Sequence, residues 1–333
     1  MVMAPPRIAI VGATGAVGRV MLDILHERGY PSSQLLAIAS QRSAGRELPY
    51  GSGTLSVEPL SAGLFGEGDL ALLDTPDDVA REWGPRVVEA GAVAIDNSAA
   101  WRMDPGVPLV VPEVNPEAVW VNEGIIASPN CTTIGVVVPA AALHREFGLR
   151  KMIVSSYQAT SGAGQAGVDA LHSETARFAE QGEDWRGPAS DCFAAPIAGN
   201  LIPRIGSEMD DGYTSEELKM LRESRKIMGL EDLEVVCTCV RVPTVTGHGA
   251  SVWAEFEEPV RLDVAEKALR EAPGVEWSDL PNPLAAAGSD PCFVGRLRPD
   301  PFNPRALTFF TVSDNLRKGA ALNTVQIAEL LIS

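Results

Sequence analysis

The sequence has little positive charge. Its 333 residues include 27 lysines and arginines against 44 aspartates and glutamates, and the formal net charge is −17 at pH 7. Binding to nucleic acid needs concentrated Lys and Arg to neutralise phosphates, so this balance excludes a nucleic-acid-binding protein. An anionic ligand would have to be held by a few local arginines or lysines, against the overall field of the protein.

Long apolar runs and regular cysteine patterns are also missing. No stretch approaches the roughly 20 apolar residues of a membrane helix, and residues 1–6 lack the basic start and apolar run of a signal peptide. The five cysteines are an odd number without the spacing of a disulfide framework. We therefore expect a cytoplasmic protein that does not bind membranes.

The composition is otherwise that of a globular protein, and the length suits two domains. In the first part of the chain, helical patterns alternate with short apolar runs at 7–11, 35–39, 70–73 and 92–95. This alternation predicts an α/β domain with a Rossmann-type parallel sheet that binds a dinucleotide. Longer strands are predicted at 151–159, 233–242, 251–257 and 307–312. We assign 1–130 and a C-terminal helix at 314–333 to the first domain, and 131–313 to an α+β domain for catalysis and dimerisation.

A glycine-rich turn follows the first predicted strand and opens a helix predicted over 19–28. Glycines in this context permit a tight turn and let backbone amides approach a pyrophosphate at the helix N-terminus. The alternative is a strand–helix turn with incidental glycines. The candidate cofactor-binding residues are Gly12, Thr14, Gly15, Ala16, Val17 and Gly18.

The end of the second predicted strand indicates which dinucleotide would bind. An NAD enzyme usually has an acidic residue there, which binds the ribose 2′-hydroxyl. This chain has Arg42 and Ser43 and no carboxylate. Arginine and serine suit a 2′-phosphate, so we predict NADP, although Arg42 could also be a surface residue of a loop.

Cys131 is the candidate nucleophile. If the apolar segment after it is helical from about Thr132, its thiol lies at a helix N-terminus, where the dipole and free amides acidify it. The same amides could stabilise an oxyanion. We expect Pro139 to limit how far this helix runs. The alternative is a buried cysteine that only packs.

Two further residues suit a catalytic site. His248 lies between two glycines, in a predicted loop, and its ordinary pKa allows proton transfer near neutrality. Arg241 ends a predicted strand on the same face as Cys237 and Cys239, so it needs an anionic partner. That partner is either a ligand or an internal carboxylate. Cys237 and Cys239 have no second Cys or His pair, so we predict no metal site.

A helix is predicted from Thr214 to about Met228. With Thr214 as N-cap, Glu217 completes a capping box. Glu216 and Lys219 share a helix face, and from sequence alone they form a solvated ion pair. The preceding connection, 182–212, is rich in glycine and proline and too long for a plain loop, which is typical of functional or associating segments.

Several motifs in order resemble those of aspartate-semialdehyde dehydrogenases, and the similarity runs from Arg7 to the terminal helix. One departure is Ala198-Gly199-Asn200, where a bulkier sequence with an aromatic residue is expected before Ile202-Pro203. The matching segments are Asn130-Cys131-Thr132-Thr133, Tyr157-Gln158-Ala159-Thr160-Ser161-Gly162-Ala163-Gly164, Arg241-Val242-Pro243, Gly247-His248, Asn97-Ser98, Arg102-Met103-Asp104 and 107–115.

The resemblance implies a role for each matching position. Cys131 would form a thioester, with His248 as its acid–base partner. Arg241 would bind the substrate carboxylate and Glu216 its ammonium, with Gln158 near the substrate backbone; Glu217 is the competing choice for the ammonium. Phosphate would be bound by Arg102 and Lys219, and further cofactor contacts would come from Ser161, Gly162 and Asn315.

The implied reaction converts aspartyl phosphate and NADPH into aspartate semialdehyde, inorganic phosphate and NADP⁺. It belongs to the biosynthesis of lysine, methionine, threonine and diaminopimelate, and the family implies a homodimer or homotetramer. The alternatives are an N-acyl-glutamyl-phosphate reductase and a non-catalytic NADP-binding relative. A sugar-nucleotide epimerase would need Tyr-x-x-x-Lys, but Ser161 stands four positions after Tyr157.

Overall fold

The computed structural model describes residues 6–182 and 185–332. Three parts of the sequence-based predictions lie outside the described residues. They are positions 1–5, where no signal peptide is expected, two positions of the 182–212 connection, and the last residue of the predicted C-terminal helix. The chain divides into two compact units. The first comprises the residues up to Asn130 and those from Ala320 onward, and the second is Cys131–Gly319. The chain thus returns to the first unit later than the predicted position 314.

The first unit is built on a seven-stranded sheet with the order β3-β4-β2-β1-β5-β6-β7. All neighbouring strands are parallel except β3 and β4. The strands are β1 (Ile8–Val11), β2 (Leu35–Ala39), β3 (Glu47–Tyr50), β4 (Gly53–Pro59), β5 (Leu70–Leu73), β6 (Val93–Asp96) and β7 (Ile125–Ala127). The helices are α1 (Ala16–Glu27), α2 (Asp77–Glu89) and the C-terminal α8 (Leu322–Ile332).

The second unit has a mixed six-stranded sheet with the order β11-β12-β13-β10-β8-β9. Its strands are β8 (Leu149–Gln158), β9 (Glu234–Arg241), β10 (His248–Phe256), β11 (Val275–Trp277), β12 (Cys292–Pro299) and β13 (Ala306–Ser313). Its helices are α3 (Cys131–Phe147), α4 (Gly164–Gln181), α5 (Ser215–Met228), α6 (Leu262–Glu271) and the short α7 (Pro283–Ala286). The predicted fold class, a Rossmann-type domain followed by an α+β domain, is confirmed.

The sequence located the buried strands of the first sheet well. β2 and β5 have the predicted bounds, because each is a continuous apolar run with both faces covered. Helix α1 begins at Ala16, earlier than predicted, because the glycine-rich turn passes directly into it. The hairpin of β3 and β4 was not predicted, since its alternation of exposed and buried residues is short.

One face of the second sheet is covered by α3, α5 and α6, and the other face is open. On β8 and β9 the residues alternate between the two faces, so that Val154 and Cys237 are buried in the core while Ile153, Tyr157 and Val236 remain exposed. The core of this unit therefore lies between the sheet and its helices. The open face keeps an apolar strip.

Three adjacent strands end at the same edge of this sheet. β8 and β9 are parallel, with Gln158 paired to Arg241 at their carboxyl ends. β10 is antiparallel to β8 and begins at His248. The prediction that His248 lies in a loop is wrong: it is the first residue of β10 and pairs with Ser313. The two neighbouring glycines suggested a loop, but backbone pairing with β13 makes the segment a strand.

Helix α3 continues through Pro139 to Phe147, so the expected early limit is also wrong. A proline inside a helix leaves the carbonyl of the residue four positions earlier without its amide donor. Here that carbonyl belongs to Gly135, and the Thr311 hydroxyl on β13 donates to it at 2.9 Å. The donor from the sheet satisfies the carbonyl, which allows one long helix to begin at Cys131.

Helix α5 begins with the predicted capping box. Thr214 accepts a hydrogen bond from the Glu217 amide at 3.3 Å, and the Glu217 carboxylate accepts one from the Thr214 amide at 2.8 Å. The second oxygen of Glu217 accepts from the Cys239 amide at 3.1 Å, which fixes α5 against β9. Glu217 therefore has the structural role that the capping box predicted.

The 182–212 connection is anchored at two points. In α4, a Glu174 carboxylate oxygen accepts from the amides of Ile197 and Ala198, at 2.5 and 3.2 Å. Farther along, Ile202 forms a backbone bridge with Arg241. Near Ala198-Gly199-Asn200, where the family resemblance predicts more bulk, a cavity of about 520 Å³ is lined by Phe178, Trp185, Arg186, Pro196, Ala198, Gly199 and Asn200.

In the part of the chain that the structure describes, no helix has both the length and the apolar character needed to cross a bilayer.

Candidate active site and dinucleotide site

The glycine-rich turn of the first unit is packed closely against neighbouring backbone. Gly12 has a φ of +100°, and a Cβ there would lie 2.1 Å from the Asp74 carbonyl oxygen. A Cβ at Gly18 would lie 2.3 Å from the Gly12 carbonyl oxygen. Only glycine fits at both positions. Gly15 is exposed and is the N-cap residue of α1, with no side-chain cap, so the helix N-terminus is open to a phosphate.

The turn after β2 has the residue types predicted for a 2′-phosphate. Gln41–Ser43 forms a short 3₁₀ turn directly after Ala39. Arg42 is exposed and Ser43 is partly buried, and residues 40–46 contain no carboxylate. The end of the second strand therefore offers positive charge and a hydroxyl to a ligand, with no acidic group to repel a phosphate.

Arg102 is buried in the first unit and held by backbone oxygens. Its Nε donates to the Ser128 carbonyl at 2.9 Å and its Nη2 to the Asn97 carbonyl at 2.8 Å. Burial raises the pKa of nearby Asp96 to about 6, while a hydrogen bond from Ser98 and the charge of Arg102 act in the opposite direction. Two backbone carbonyls thus orient the Arg102 guanidinium.

Cys131 is the first residue of α3, and its thiol is partly exposed. At the N-terminus of a 17-residue helix, the helix dipole and the backbone amides of the first turn favour a thiolate. A Cβ built at Gly319 would lie 2.8 Å from the Cys131 Cβ, so Gly319 leaves the room that Cys131 needs. The inferred position at a helix N-terminus agrees with the structure.

Arg241 places a guanidinium on the covered face of the second sheet. It is only 6% exposed, its Nη1 donates to the Ala159 carbonyl at 2.6 Å, and its Cζ lies 5.8 Å from the centre of the Phe193 ring. Burial lowers the pKa of Arg241, and the negative charges of Cys131 and Glu216 raise it. Such a buried cation is a strong site for a carboxylate.

His248 is held by the same residue as Arg241. The Ala159 amide donates to Nδ1 of His248 at 3.0 Å, which assigns the proton of the neutral ring to Nε2. His248 Nε2 has no hydrogen-bond partner in the described protein. Burial first, and then the charge of Arg241, lower the pKa of His248 to about 3. The ring is therefore neutral at pH 7 and has an N–H that can be donated to a ligand.

Gly162 lies against both of these groups. A Cβ at this position would be 2.8 Å from Nη1 of Arg241 and 3.0 Å from Nε2 of His248. Any side chain would displace at least one of the two. The glycine that the family resemblance assigns to the cofactor thus also sets the positions of the guanidinium and the imidazole.

Glu216 connects three elements through its carboxylate. Gln158 Nε2 donates to Oε1 of Glu216 at 3.2 Å, and Lys219 Nζ donates to Oε2 at 3.2 Å. Ser156 in turn donates to Oε1 of Gln158 at 2.9 Å, which fixes the orientation of the amide. Glu216, Gln158 and Ser156 are buried. The ion pair predicted between Glu216 and Lys219 exists, but it is not the solvated surface pair that the sequence alone suggested.

Ser161 and Asn315 contact each other in the second unit. Asn315 Nδ2 donates to the Ser161 hydroxyl at 2.9 Å, and Oδ1 of Asn315 accepts from the Gly247 amide at 2.8 Å. Both side chains are buried. These bonds tie the segment after β13 to the glycine that precedes His248.

A cavity of about 460 Å³ opens beside this cluster. Arg241 forms part of its wall, together with Phe193 and Ile202 from the long connection. Its remaining lining residues are Asp191, Cys192, Ala194, Arg204, Ile205, Gly206 and Glu208. Its volume suits a small polar molecule, and the buried guanidinium places a positive charge in its wall.

The structure thus gathers Cys131, Gln158, Glu216, Arg241 and His248 in the second unit, whereas Arg102 and the glycine-rich turn belong to the first. Sequence reasoning missed three contributors to the second-unit cluster: Ser156, Phe193 and Gly319. The only signal for Gly319 was a glycine within a helical pattern, and the other two had none. Ala159 stood within a matching motif, but the sequence assigned it no role.

Two family models match the chain. The NAD binding domain of semialdehyde dehydrogenases matches residues 7–120, and the dimerisation domain of semialdehyde dehydrogenases matches residues 141–318. Together they span both units.

Individual proteins are similar over the full length. An aspartate-semialdehyde dehydrogenase of Streptomyces akiyoshiensis is 46% identical over 335 residues, which are 98% of each chain. The protein of the same name from Aquifex aeolicus is 44% identical with the same coverage. The solved structure of aspartate semialdehyde dehydrogenase II from Vibrio cholerae, complexed with ASA, has a TM-score of 0.93 at 38% identity and covers 99% of this chain and 98% of its own.

Replacing Gly162 tests the close packing of the cluster. We expect Gly162→Ala to lower the free energy of unfolding by about 1–3 kcal/mol, because the added methyl must displace Arg241 or His248. Urea denaturation measures this change. Gly63→Ala is the control, since its Cβ would meet nothing within 4 Å. Equal stabilities of the two variants would show that the site accommodates the methyl group.

The low pKa of His248 predicts a pH dependence of stability. Its ordinary pKa is 6.5 and the folded protein lowers it to about 3, so between these pH values the unfolded chain binds a proton that the folded protein does not bind. The contribution of the neutral His248 to the free energy of unfolding is complete above pH 6.5 and is lost as the pH falls towards 3. From pH 7 to pH 5 the native protein should lose about 2 kcal/mol more of its unfolding free energy than His248→Asn. Parallel pH profiles of the two proteins would contradict the buried, neutral imidazole.

Proposed function

The chain belongs to the family of aspartate-semialdehyde dehydrogenases, and on that premise we propose that it converts L-aspartyl 4-phosphate to L-aspartate 4-semialdehyde with NADPH. The observation that carries the proposal is the convergence of Cys131, His248, Arg241 and Glu216 at one edge of the second sheet. They supply a nucleophile, a proton donor, a cation for a carboxylate and an anion for an ammonium group. The substrate has a group that matches each of them: an acyl carbon, a carbonyl oxygen, a carboxylate and an ammonium group.

The chemistry begins with the Cys131 thiolate, which the N-terminus of α3 favours. The sulfur attacks the acyl carbon of aspartyl phosphate, and the bond from that carbon to the phosphate oxygen breaks. Inorganic phosphate departs, and the acyl group remains on Cys131 as a thioester. Bound NADPH would supply a hydride to reduce this thioester. The resulting thiohemiacetal then collapses, which releases the aldehyde and returns the thiolate.

His248 supports the steps in which oxygen gains negative charge. Its Nδ1 is bonded to the Ala159 amide, so its Nε2–H is the group that it can present to a developing oxyanion. The neutral ring at physiological pH donates a hydrogen bond without adding a full charge beside Arg241. The lone pair of Nε2 becomes available for accepting a proton only if the Ala159 bond is broken.

Substrate recognition follows from the charges of the cluster. We assign the substrate carboxylate to Arg241, the ammonium to Glu216 and a hydrogen bond with the substrate backbone to Gln158. An N-acyl-glutamyl phosphate has a neutral, capped amine, and the buried carboxylate of Glu216 would then lose the cation that it is placed to receive. This mismatch favours the aspartyl substrate over the N-acyl-glutamyl-phosphate reductase alternative.

The cofactor would be held by the first unit. Gly12 and Gly18 keep the turn tight enough for a pyrophosphate to approach the backbone, and the exposed Gly15 is the N-cap residue of α1. We propose NADP rather than NAD because Arg42 and Ser43 stand where an NAD enzyme has a carboxylate. Ser161, Gly162 and Asn315 remain predicted cofactor contacts, as Arg102 and Lys219 remain predicted phosphate ligands.

We propose a homodimer that associates through the open face of the second sheet. Ile153, Tyr157 and Val236 are between 38% and 45% exposed on adjacent strands, and Tyr157 stacks on Phe310 with ring centres 6.1 Å apart. An apolar face on a regular sheet is a suitable surface for a second copy. We place the reaction in the cytoplasm, in the biosynthesis of lysine, methionine, threonine and diaminopimelate.

Turnover should depend on the sulfur of Cys131. We expect phosphate-dependent NADPH formation from aspartate semialdehyde, the reverse reaction, to fall at least about a thousandfold in Cys131→Ser, because the hydroxyl is not ionised near neutrality. Cys192→Ser is the control, since Cys192 is also partly exposed and lies on the wall of the adjoining cavity. Mass spectrometry should find an acyl adduct on Cys131 after reaction without phosphate. Normal turnover in Cys131→Ser would refute the thioester mechanism.

Cofactor choice should depend on Arg42. We expect Arg42→Ala to raise the KM for NADPH about tenfold and to leave that for NADH unchanged, because only NADPH has the 2′-phosphate. Arg46→Ala is a matched control, as Arg46 is an exposed arginine just after the same turn. The same rise for both cofactors would mean that Arg42 does not read the 2′-phosphate.

A further inference from the structure

The two side chains proposed for opposite ends of the substrate are bonded to each other. Lys219 Nζ donates to Oε2 of Glu216 at 3.2 Å, across one turn of α5. In the proposed function Glu216 must bind an ammonium group and Lys219 must bind phosphate. Each of these roles requires the charge that the ion pair now neutralises. The pair therefore has to open, or share its charges, when substrate binds.

The local geometry favours opening of the pair. The Glu216 side chain is 9% exposed, and its other oxygen accepts from Gln158, which Ser156 holds in place. Glu216 is therefore fixed in position. The Lys219 side chain is 33% exposed and ends a flexible four-carbon stem, so it can move to a new partner at low cost. A second ammonium group arriving at the fixed carboxylate would repel the Lys219 ammonium.

We propose that Lys219 is a specificity-determining residue: it pairs with Glu216 until the ammonium group of the substrate displaces it, and only then does its charge become available to phosphate. The inference rests on the proposed function, and it adds a coupling between two ligand groups. Lys219 occupies the place of the substrate amine, because both are primary ammonium groups facing one carboxylate.

This exchange makes phosphate binding conditional on the amine. A carboxylate ligand without an amine would occupy Arg241 and leave Lys219 on Glu216, so phosphate would bind weakly. A ligand with a free ammonium group would release Lys219 and strengthen phosphate binding. Coupling free energies are reciprocal, so phosphate must strengthen binding of the amine-bearing ligand by the same factor. N-acylated or deaminated substrates would be selected against at the phosphate step as well as at Glu216.

Titration calorimetry with inorganic phosphate tests the coupling in the native protein. Phosphate is titrated in the presence of saturating L-2-aminobutyrate, which has the carboxylate and amine of the substrate without its reactive carbonyl, or of saturating butyrate, which lacks the amine. We expect the Kd for phosphate to be about tenfold lower with L-2-aminobutyrate. Equal Kd values with the two ligands would overturn the inference, because Glu216 would then hold both cations at once.

Two variants give results that a purely structural ion pair would not. Glu216→Gln releases Lys219 permanently, so it should bind phosphate about tenfold more tightly than the native protein without any other ligand. Lys219→Met should bind phosphate with the weak affinity of the butyrate complex, whichever ligand is present. Lys267→Met is the matched control, since Lys267 forms an exposed pair with Glu271 on α6. It should retain the native difference between the two ligands.

Weaker phosphate binding by Glu216→Gln than by the native protein would count against the inference. If that variant does not fold, the comparison of the two ligands in the native protein decides. Turnover separates this inference from the proposed function. Phosphate-dependent oxidation of aspartate semialdehyde with no effect of the amine on phosphate affinity would overturn the coupling alone, whereas absence of that oxidation would overturn the proposed function itself.

Discussion

The positive charge of Arg241 inside the second unit is the constraint that organises the site. A guanidinium that is 6% exposed has lost most of its hydration, and burial lowers its pKa accordingly. Its surroundings offset that loss through the Ala159 carbonyl, the Phe193 ring and the charge of Glu216. Burial, and after it the charge of Arg241, lower the pKa of His248 and keep its ring neutral. Removing Arg241 would therefore remove part of this pKa shift together with the buried positive charge.

Backbone geometry contributes as much to the site as side-chain chemistry. The amide of Ala159 fixes the imidazole, and its carbonyl fixes the guanidinium, so one residue at the end of β8 orients both groups. Gly162 and Gly319 leave space that no side chain could share with Arg241 or with Cys131. Both glycines contribute by lacking a side chain. Even replacement by alanine would add a methyl group where neighbouring atoms already fill the space.

Because the chain is strongly acidic, binding of an anion depends on a few cations whose side chains are fixed in position. With a net charge of −17, the protein repels anionic ligands at long range, so attraction must come from groups at contact distance. Arg102 donates hydrogen bonds to the Ser128 and Asn97 carbonyls, whereas Lys219 is paired with Glu216. In the proposed function both cations bind phosphate, and Lys219 first has to leave Glu216.

The sequence by itself determined the features that depend on neighbours in the chain. β2 and β5 are continuous apolar runs, and the capping box of Thr214 and Glu217 spans four residues, so each is set by local contacts. Gly18 packs on the carbonyl of Gly12, six residues earlier in the same turn. The resemblance of the motifs added the family and the candidate site residues, which composition and periodicity alone could not supply.

Only the tertiary structure decided the features whose causes lie far away in sequence. Helix α3 passes Pro139 because Thr311 supplies the missing donor, and His248 belongs to a strand because β13 pairs with it. Glu216 pairs with Lys219, but its carboxylate is buried and also accepts from Gln158, because α5 packs on β9. Local patterns report the preferences of a segment, whereas packing of distant segments determines which donors, charges and cavities meet.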